Sequence, residues 1–261
     1  MKKKLKKIIR NIFRPLAHKM GFVEYDPKKH VNSKDDMIRR FIENIKVTGF
    51  QPKLIFDIGA NRGTWSNVFV QYFTDSNFIL FEPQEWLFAE NVIPEKFRQK
   101  VKFEVMAVSN SSGKIKFTLN GDRDDSSSIS IPENLRLEKN WRQIEVEMTS
   151  IDDYLQKNKL LIPEIIKIDA EGNDIDVLEG AASCFGITEV FLIEASVSAP
   201  SFENNAKQVI DIMDQKGYKL FEITDLNRPF QKEILWLVEL AFILKNGKID
   251  TYYSDFKNIE I

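Results

Sequence analysis

Five acids and one lysine stand where predicted strands end: Asp57 after LIF, Glu82 after FILF, Lys167, Asp169 and Glu171 within IIKIDAEG, and Glu194 after FLI. Ligands of open α/β sheets bind beyond the carboxyl ends of the strands, so these side chains should converge. Asp169, Glu171 and Glu194 together could take up a proton, ligate a divalent metal ion through hard oxygens, or balance a cationic ligand. Lys167 shares a strand face with Asp169 by period-two alternation and is placed to pair with it, which would hold that carboxylate ionised. The candidate catalytic residues are therefore Asp169, Glu171 and Lys167, and the candidate metal ligands Asp169, Glu171 and Glu194. Plainer accounts exist: acids favour helix N-termini, and a strand-end lysine can simply reach solvent along its stem.

Other chemistries are excluded by what is missing. The two histidines, His18 and His30, precede the predicted sheet, so neither a Ser-His-Asp hydrolase nor a histidine zinc site is expected. The single cysteine, Cys184, excludes an intramolecular disulfide and suits an apolar helix position in a reducing compartment.

A cofactor should sit among these acids. The run LIFDIGANRGTW, from Leu54 to Trp65, is a short apolar strand, a turn with two glycines and the start of a helix. Gly59 lets the backbone leave the strand sharply, and Gly63 lets the helix lie close to the sheet, so free N–H groups of its first turn face the ligand. Glu82 lies 25 residues after Asp57, at the next strand tip, where a carboxylate can accept both hydroxyls of a ribose. Dinucleotide binding favours G-x-G-x-x-G, whose middle glycine lets a pyrophosphate approach; here Ala60, Asn61 and Arg62 separate the two glycines. A ligand without pyrophosphate fits better. S-adenosylmethionine would place its amine near Asp57 and its carboxylate near the turn N–H groups. A nicotinamide-dependent oxidoreductase is the alternative enzyme, and a noncatalytic cofactor-binding or membrane-scaffolding module the alternative outside enzymes.

The elements that position these residues alternate. A helix opens at Ser33 and carries Met37, Phe41 and Ile45 toward Gly49. Strands follow at Leu54 to Phe56, Phe78 to Phe81, Val101 to Val108, Ile165 to Ile168 and Val190 to Ile193, with helices between them, which implies a mainly parallel sheet. One such helix is capped by Asn173, presents Ile175, Leu178, Ala182 and Phe185, and stops at Gly186. Another runs from Phe202 to Lys216. Strands at Tyr218 to Ile223 and Leu237 to Leu244, with no helix between them, should close the sheet as an antiparallel hairpin. The middle departs from alternation: KIKFTLN reads as a hairpin strand, GDRDDSSS as a polar inserted loop, and Ile144, Val146 and Met148 as one face of a half-exposed strand before Ser150 starts a short helix.

At 261 residues and 43% apolar, the chain can bury one substantial α/β core: a domain over residues 33–261 with an appendage over 1–32. The balance of 37 basic against 39 acidic residues gives no argument for nucleic acid. Residues 1–20 nevertheless hold eight Lys and Arg and no acid, with Leu5, Ile8, Ile9, Ile12, Phe13 and Leu16 at helical spacing. That pattern suits the surface of an anionic membrane; its plainer readings are a helix packed on the domain with its lysines solvated, or a frayed basic tail. Without a spanning run or cleavage site, the expectation is a cytoplasmic protein, with peripheral contact at the inner membrane face through this stretch.

Taken in order, DIGANRGTW, FEPQ, AVSNSSGKIKF, the DDSSSIS loop, TSIDDYL, IIKIDAEGNDIDVLEGA and FLIEAS resemble an FkbM-type methyltransferase from about Leu54 to Ser196. The resemblance implies a class I, Rossmann-like fold of seven strands, mostly parallel with an antiparallel last strand, in the order 3-2-1-4-5-7-6. It also implies S-adenosylmethionine-dependent methyl transfer to a hydroxyl of a sugar or secondary metabolite; the basic residues 1–20 would suit an acceptor that is lipid-linked. Carried onto this chain, the cofactor set is Asp57, Gly59, Ala60, Asn61, Gly63, Glu82, Pro83, Ala107 and Val108, with Asp169 and Glu171 facing the acceptor. Two positions depart: Trp65 stands where relatives often carry a smaller side chain or tyrosine, and Ser196 where many carry histidine.

Overall fold

A computed structural model describes residues 34–121, 123–198, 204–229 and 234–255. Helix α1, Lys34–Val47, precedes β1, Leu54–Ile58, and α2, Thr64–Tyr72, leads to β2, Asn77–Phe81. The short α3, Glu85–Ala89, and a 3-10 turn lead to β3, Val101–Glu104. A second unit follows: β4, Ala107–Val108; β5, Gly113–Asn120; β6, Arg123–Ser128; α4, Glu133–Lys139; β7, Gln143–Thr149. The main sheet then resumes with α5, Ile151–Asn158; β8, Ile165–Ile168; α6, Asp174–Glu179; β9, Val190–Ser196; α7, Ala206–Gln215; β10, Tyr218–Asn227; β11, Leu237–Leu244; and α8, Lys248–Ser254.

Seven strands form the main sheet in the order β10-β11-β9-β8-β1-β2-β3, with β11 antiparallel to both its neighbours. This is the expected order, 3-2-1-4-5-7-6. The inner strands β1, β2, β8, β9 and β11 carry buried apolar residues on both faces, as in a sheet covered on both sides. On one face Phe56, Phe81, Ile166, Phe191 and Phe242 pack with Tyr154, Leu178, Val209 and Met213. On the other, Ile55, Phe78, Leu192 and Ala241 meet Phe41 and Ile45 of α1 and Phe69 of α2. Tyr154 packs edge-on against Phe56 and Phe81 at ring separations of 5.9 and 4.9 Å, contacts worth about 0.5–1.5 kcal/mol each beyond area burial.

Four expectations need correction. Strand three does not run to Val108; it stops at Glu104, where Met106 N–H donates to the Glu104 carbonyl, and Ala107–Val108 pairs instead with β7. The GDRDDSSS stretch is not a loop, because β5 offers a free edge and Arg123–Ser128 pairs with it. The helix after Asn173 does not reach Gly186. It ends at Glu179 because the backbone around Ser109 presses on Gly180, where a Cβ would lie 2.2 Å from the Ser109 carbonyl oxygen. A separate 3-10 turn, Ala182–Cys184, buries Cys184 and leaves Ala182 exposed. The last long helix begins at Ala206, capped by the Asn205 side chain, which accepts from Gln208 N–H. Ser33 and the basic stretch 1–20 lie outside the described residues. No helix among the described residues is long and apolar enough to cross a membrane.

Candidate functional site

The β1–α2 turn is built around close approach. Gly59 has φ +70°, and a Cβ there would lie 1.8 Å from the Asp169 carbonyl oxygen, so only glycine lets the β1 and β8 exits touch. Gly59 and Ala60 N–H both donate to the Phe81 carbonyl, tying the turn to the end of β2. Asn61, with φ 50°, then directs its N–H to Glu82 Oε2 at 3.0 Å. Glu82 Oε1 accepts from Gln84 N–H and from the Gln84 side chain. Burial pushes the Glu82 carboxyl above its ordinary range, against these donors. Three of its roughly four lone-pair sites are filled by these donors, so one is open to a ligand hydroxyl, and a second opens where the Gln84 side-chain amide, at 3.2 Å, gives way.

At the exit of β8, Lys167 Nζ lies 3.0 Å from Asp169 Oδ2, 3.5 Å from Asp57 Oδ1 and 3.3 Å from the Gly59 carbonyl oxygen. Burial acts to discharge this lysine, but the surrounding carboxylates of Asp169, Asp57 and Glu239 outweigh it, so its pKa lies above the usual lysine value. Asp57 is fully buried, and its Oδ2 accepts from Ser66 Oγ at 2.6 Å. It lies beneath the turn, its other oxygen 3.5 Å from Lys167 Nζ.

Glu171 follows Asp169 in a strained loop. It is a non-glycine residue in the left-handed region at φ 51°, a conformation that costs energy and persists only where surroundings impose it. Those surroundings are Ser128 Oγ, which donates to the Glu171 carbonyl at 2.9 Å, and Asp174, which accepts from Ala170 and Gly172 N–H. Asn204 Nδ2 donates to the same Asp174 carboxylate and to the Glu194 carbonyl, joining this loop to β9. Burial pushes Asp174 up to about 7. Oxygens of Asp169, Glu171 and Glu194 lie within 4.8 Å of one another. Burial and then the Asp169, Glu171 and Asp174 carboxylates raise the Glu194 pKa, and its Oε2 is buried without a hydrogen-bond partner.

One cavity of about 410 Å³ is lined by the glycine turn, Glu82, Lys167, Asp169 and Glu171, a size typical of small-molecule sites. Of the expected cofactor residues, its wall includes Gly59, Ala60, Asn61, Glu82, Pro83, Ala107 and Val108, and of the expected catalytic residues Lys167, Asp169 and Glu171. Gly63 lies outside the wall, packed toward Ile93 and Leu80. Several wall or support residues were not singled out from sequence. Glu239 and Thr224 line the cavity from β11 and β10, Ser127 and Phe117 line it from the second sheet, and Asn173 lines it while donating to the Val108 carbonyl. An acid within the apolar run LWLVELAFIL was the available signal for Glu239. No sequence signal marks Ser128 as the residue that clamps Glu171.

This geometry agrees with relationships visible in the chain. The methyltransferase FkbM domain matches residues 57–220. The 2-O-methyltransferase NoeI of Sinorhizobium fredii is 30% identical over 156 residues, covering 55% of this chain and 63% of NoeI. The hexuronic acid methyltransferase AglP of Haloferax volcanii is 23% identical over 215 residues, 77% of this chain and 75% of AglP. A solved FkbM methyltransferase from Methylobacillus flagellatus aligns over 74% of this chain and 43% of its own length, with 14% identity and a TM-score of 0.47. The chain thus spans less than two thirds of NoeI and less than half of that solved protein. The domain match begins at Asp57, and within its bounds lie the glycine turn, Glu82 and the Lys167–Asp169–Glu171 exit that the fold gathers around one cavity. The chain belongs to the FkbM methyltransferase family.

Proposed function

We propose that the chain is an S-adenosylmethionine-dependent O-methyltransferase acting on a sugar or metabolite hydroxyl. The observation that carries this reading is one cavity bounded by the glycine turn and Glu82 at one part and by the Lys167–Asp169 pair at another. The cofactor ribose would lie on Glu82, its methionine end against the Gly59 to Asn61 turn, and its adenine beside Ala107 and Val108. Bound there, S-adenosylmethionine would supply an activated methyl group to the acceptor oxygen and depart as neutral S-adenosylhomocysteine. Asp169 takes the hydroxyl proton, while Lys167, 3.0 Å from its Oδ2, orients that carboxylate. Glu171, on the same wall, adds an acidic group beside the sulfonium.

The oxygen donors of Asp169, Glu171 and Glu194 also fit a hard divalent cation such as Mg²⁺, which when bound would lower the pKa of an acceptor hydroxyl. Family membership favours methyl transfer over the nicotinamide and noncatalytic alternatives. The names of NoeI, a 2-O-methyltransferase, and AglP, a hexuronic acid methyltransferase, support oxygen as the methylated atom and a sugar as the acceptor class. A lipid-linked acceptor would give the basic residues 1–20 a task at the inner membrane face.

Radiolabelled methyl transfer into glycan precursors tests the assignment. Asp169→Asn should bind S-adenosylhomocysteine as the unaltered chain does and lose roughly a hundredfold or more in turnover. Near-normal turnover removes Asp169 from the chemistry. Loss of activity on chelation, restored by Mg²⁺, selects the metal-assisted form.

A further inference from the structure

Because β11 is antiparallel, its first residues stand at the end of the sheet where the parallel strands finish. Its register sets Glu239 opposite Glu194, and alternation turns Glu239 to the face that also carries Leu192 and Ala241, under α1 and α2. Glu239 is 9% exposed and accepts from Thr224 Oγ1 at 2.6 Å. Both line the cavity together with Ile38, Trp65 and Val68. Trp65 stacks on Phe69 at 3.7 Å, and its indole N–H is buried without a hydrogen-bond partner. Leaving such a donor unmade is costly, and a ligand oxygen would satisfy it.

We propose that Glu239, Thr224 and Trp65 form the acceptor subsite, that it takes a neutral sugar ring, and that it rejects uronic acids. The inference rests on the methyl-transfer reading and adds the substrate's charge class to it. A carboxylate accepts from adjacent hydroxyls of a neutral ring, and Trp65, Ile38 and Val68 cover the ring's apolar C–H surface. Electrostatics decides against an acidic ring. Glu82, Asp169, Glu171 and Glu239 all line the wall, and Lys167 is the only cation among the described lining residues. That lysine is already engaged by Asp169 and Asp57. Among the described lining residues, a ligand carboxylate would meet like charge with no further cation to pair with. A divalent ion on Asp169, Glu171 and Glu194 would leave the charge of Glu239 in place.

The test measures methyl transfer from S-adenosylmethionine by the full chain to paired aryl glycosides, each neutral hexoside set against its uronide, with Mg²⁺ present. The neutral member should be methylated at least about tenfold faster, and Glu239→Gln should narrow that ratio. Thr224→Val, which keeps the side-chain shape, should raise KM for the neutral acceptor while S-adenosylhomocysteine affinity holds. A uronide methylated as fast as its partner, or a ratio unmoved in Glu239→Gln, overturns the subsite. Cofactor binding without methylation of any glycoside also overturns the sugar subsite and leaves the cofactor assignment standing. Absence of S-adenosylhomocysteine binding overturns the methyl-transfer reading itself.

Discussion

Glu82 shows how a single carboxylate can be prepared for a ligand. Backbone N–H groups of Asn61 and Gln84 fix its two oxygens in place, and burial raises its pKa. Only the ionised form can accept from both ribose hydroxyls. Cofactor affinity should therefore be constant above the Glu82 pKa and fall as pH drops through it, starting at a higher pH than an ordinary glutamate would give. Calorimetric titration with S-adenosylhomocysteine across pH 5 to 8 checks this, with Glu82→Gln expected to be weak and nearly independent of pH. Glu82→Ala should cost roughly 2–4 kcal/mol of binding, the worth of two charge-assisted hydrogen bonds. Unchanged affinity in a folded Glu82→Ala variant would move the ribose elsewhere.

Among the elements, the second sheet is more than an insertion, because its β6 end holds the strained Glu171 loop. Ser128→Ala removes the bond to the Glu171 carbonyl, at a cost of about 1 kcal/mol. It should lower turnover several-fold while cofactor affinity stays, and a melting curve alongside the kinetics separates the local effect from unfolding. Turnover equal to that of the unaltered chain would show that Glu171 needs no such clamp. The strand–turn–helix from Leu54 to Trp65 was legible in the sequence because its signals are local: an apolar run, two glycines and helical spacing. The acids at β2, β8 and β9 were legible because each closes an apolar strand. Pairing of Arg123–Ser128 with β5 was not legible, since DDSSS has little strand propensity of its own and the edge that recruits it is supplied elsewhere. Glu239 escaped for a different reason: strand order alone places β11 beside β9 but does not give the register that sets Glu239 opposite Glu194.

On the scale of the whole molecule, the sheet order brings the exits of β1, β2 and β8 and the start of β11 to one cavity, as ligand sites of open α/β sheets require. That order followed from the family resemblance and not from any spacing within the chain. The proposed membrane task of residues 1–20 belongs to this scale. Their eight positive charges should bind vesicles rich in anionic lipid, the binding should weaken with added salt, and deletion of the stretch should abolish it without changing cofactor affinity. Failure to sediment with such vesicles at low salt would end the membrane assignment. The central claim is that the cavity holds S-adenosylmethionine. It is tested most directly by isothermal titration of the full chain with S-adenosylhomocysteine and, in parallel, with NAD. S-adenosylhomocysteine should bind saturably and one-to-one, with binding lost or strongly weakened in Glu82→Ala, and NAD should not bind. Saturable NAD binding with no heat from S-adenosylhomocysteine would contradict it.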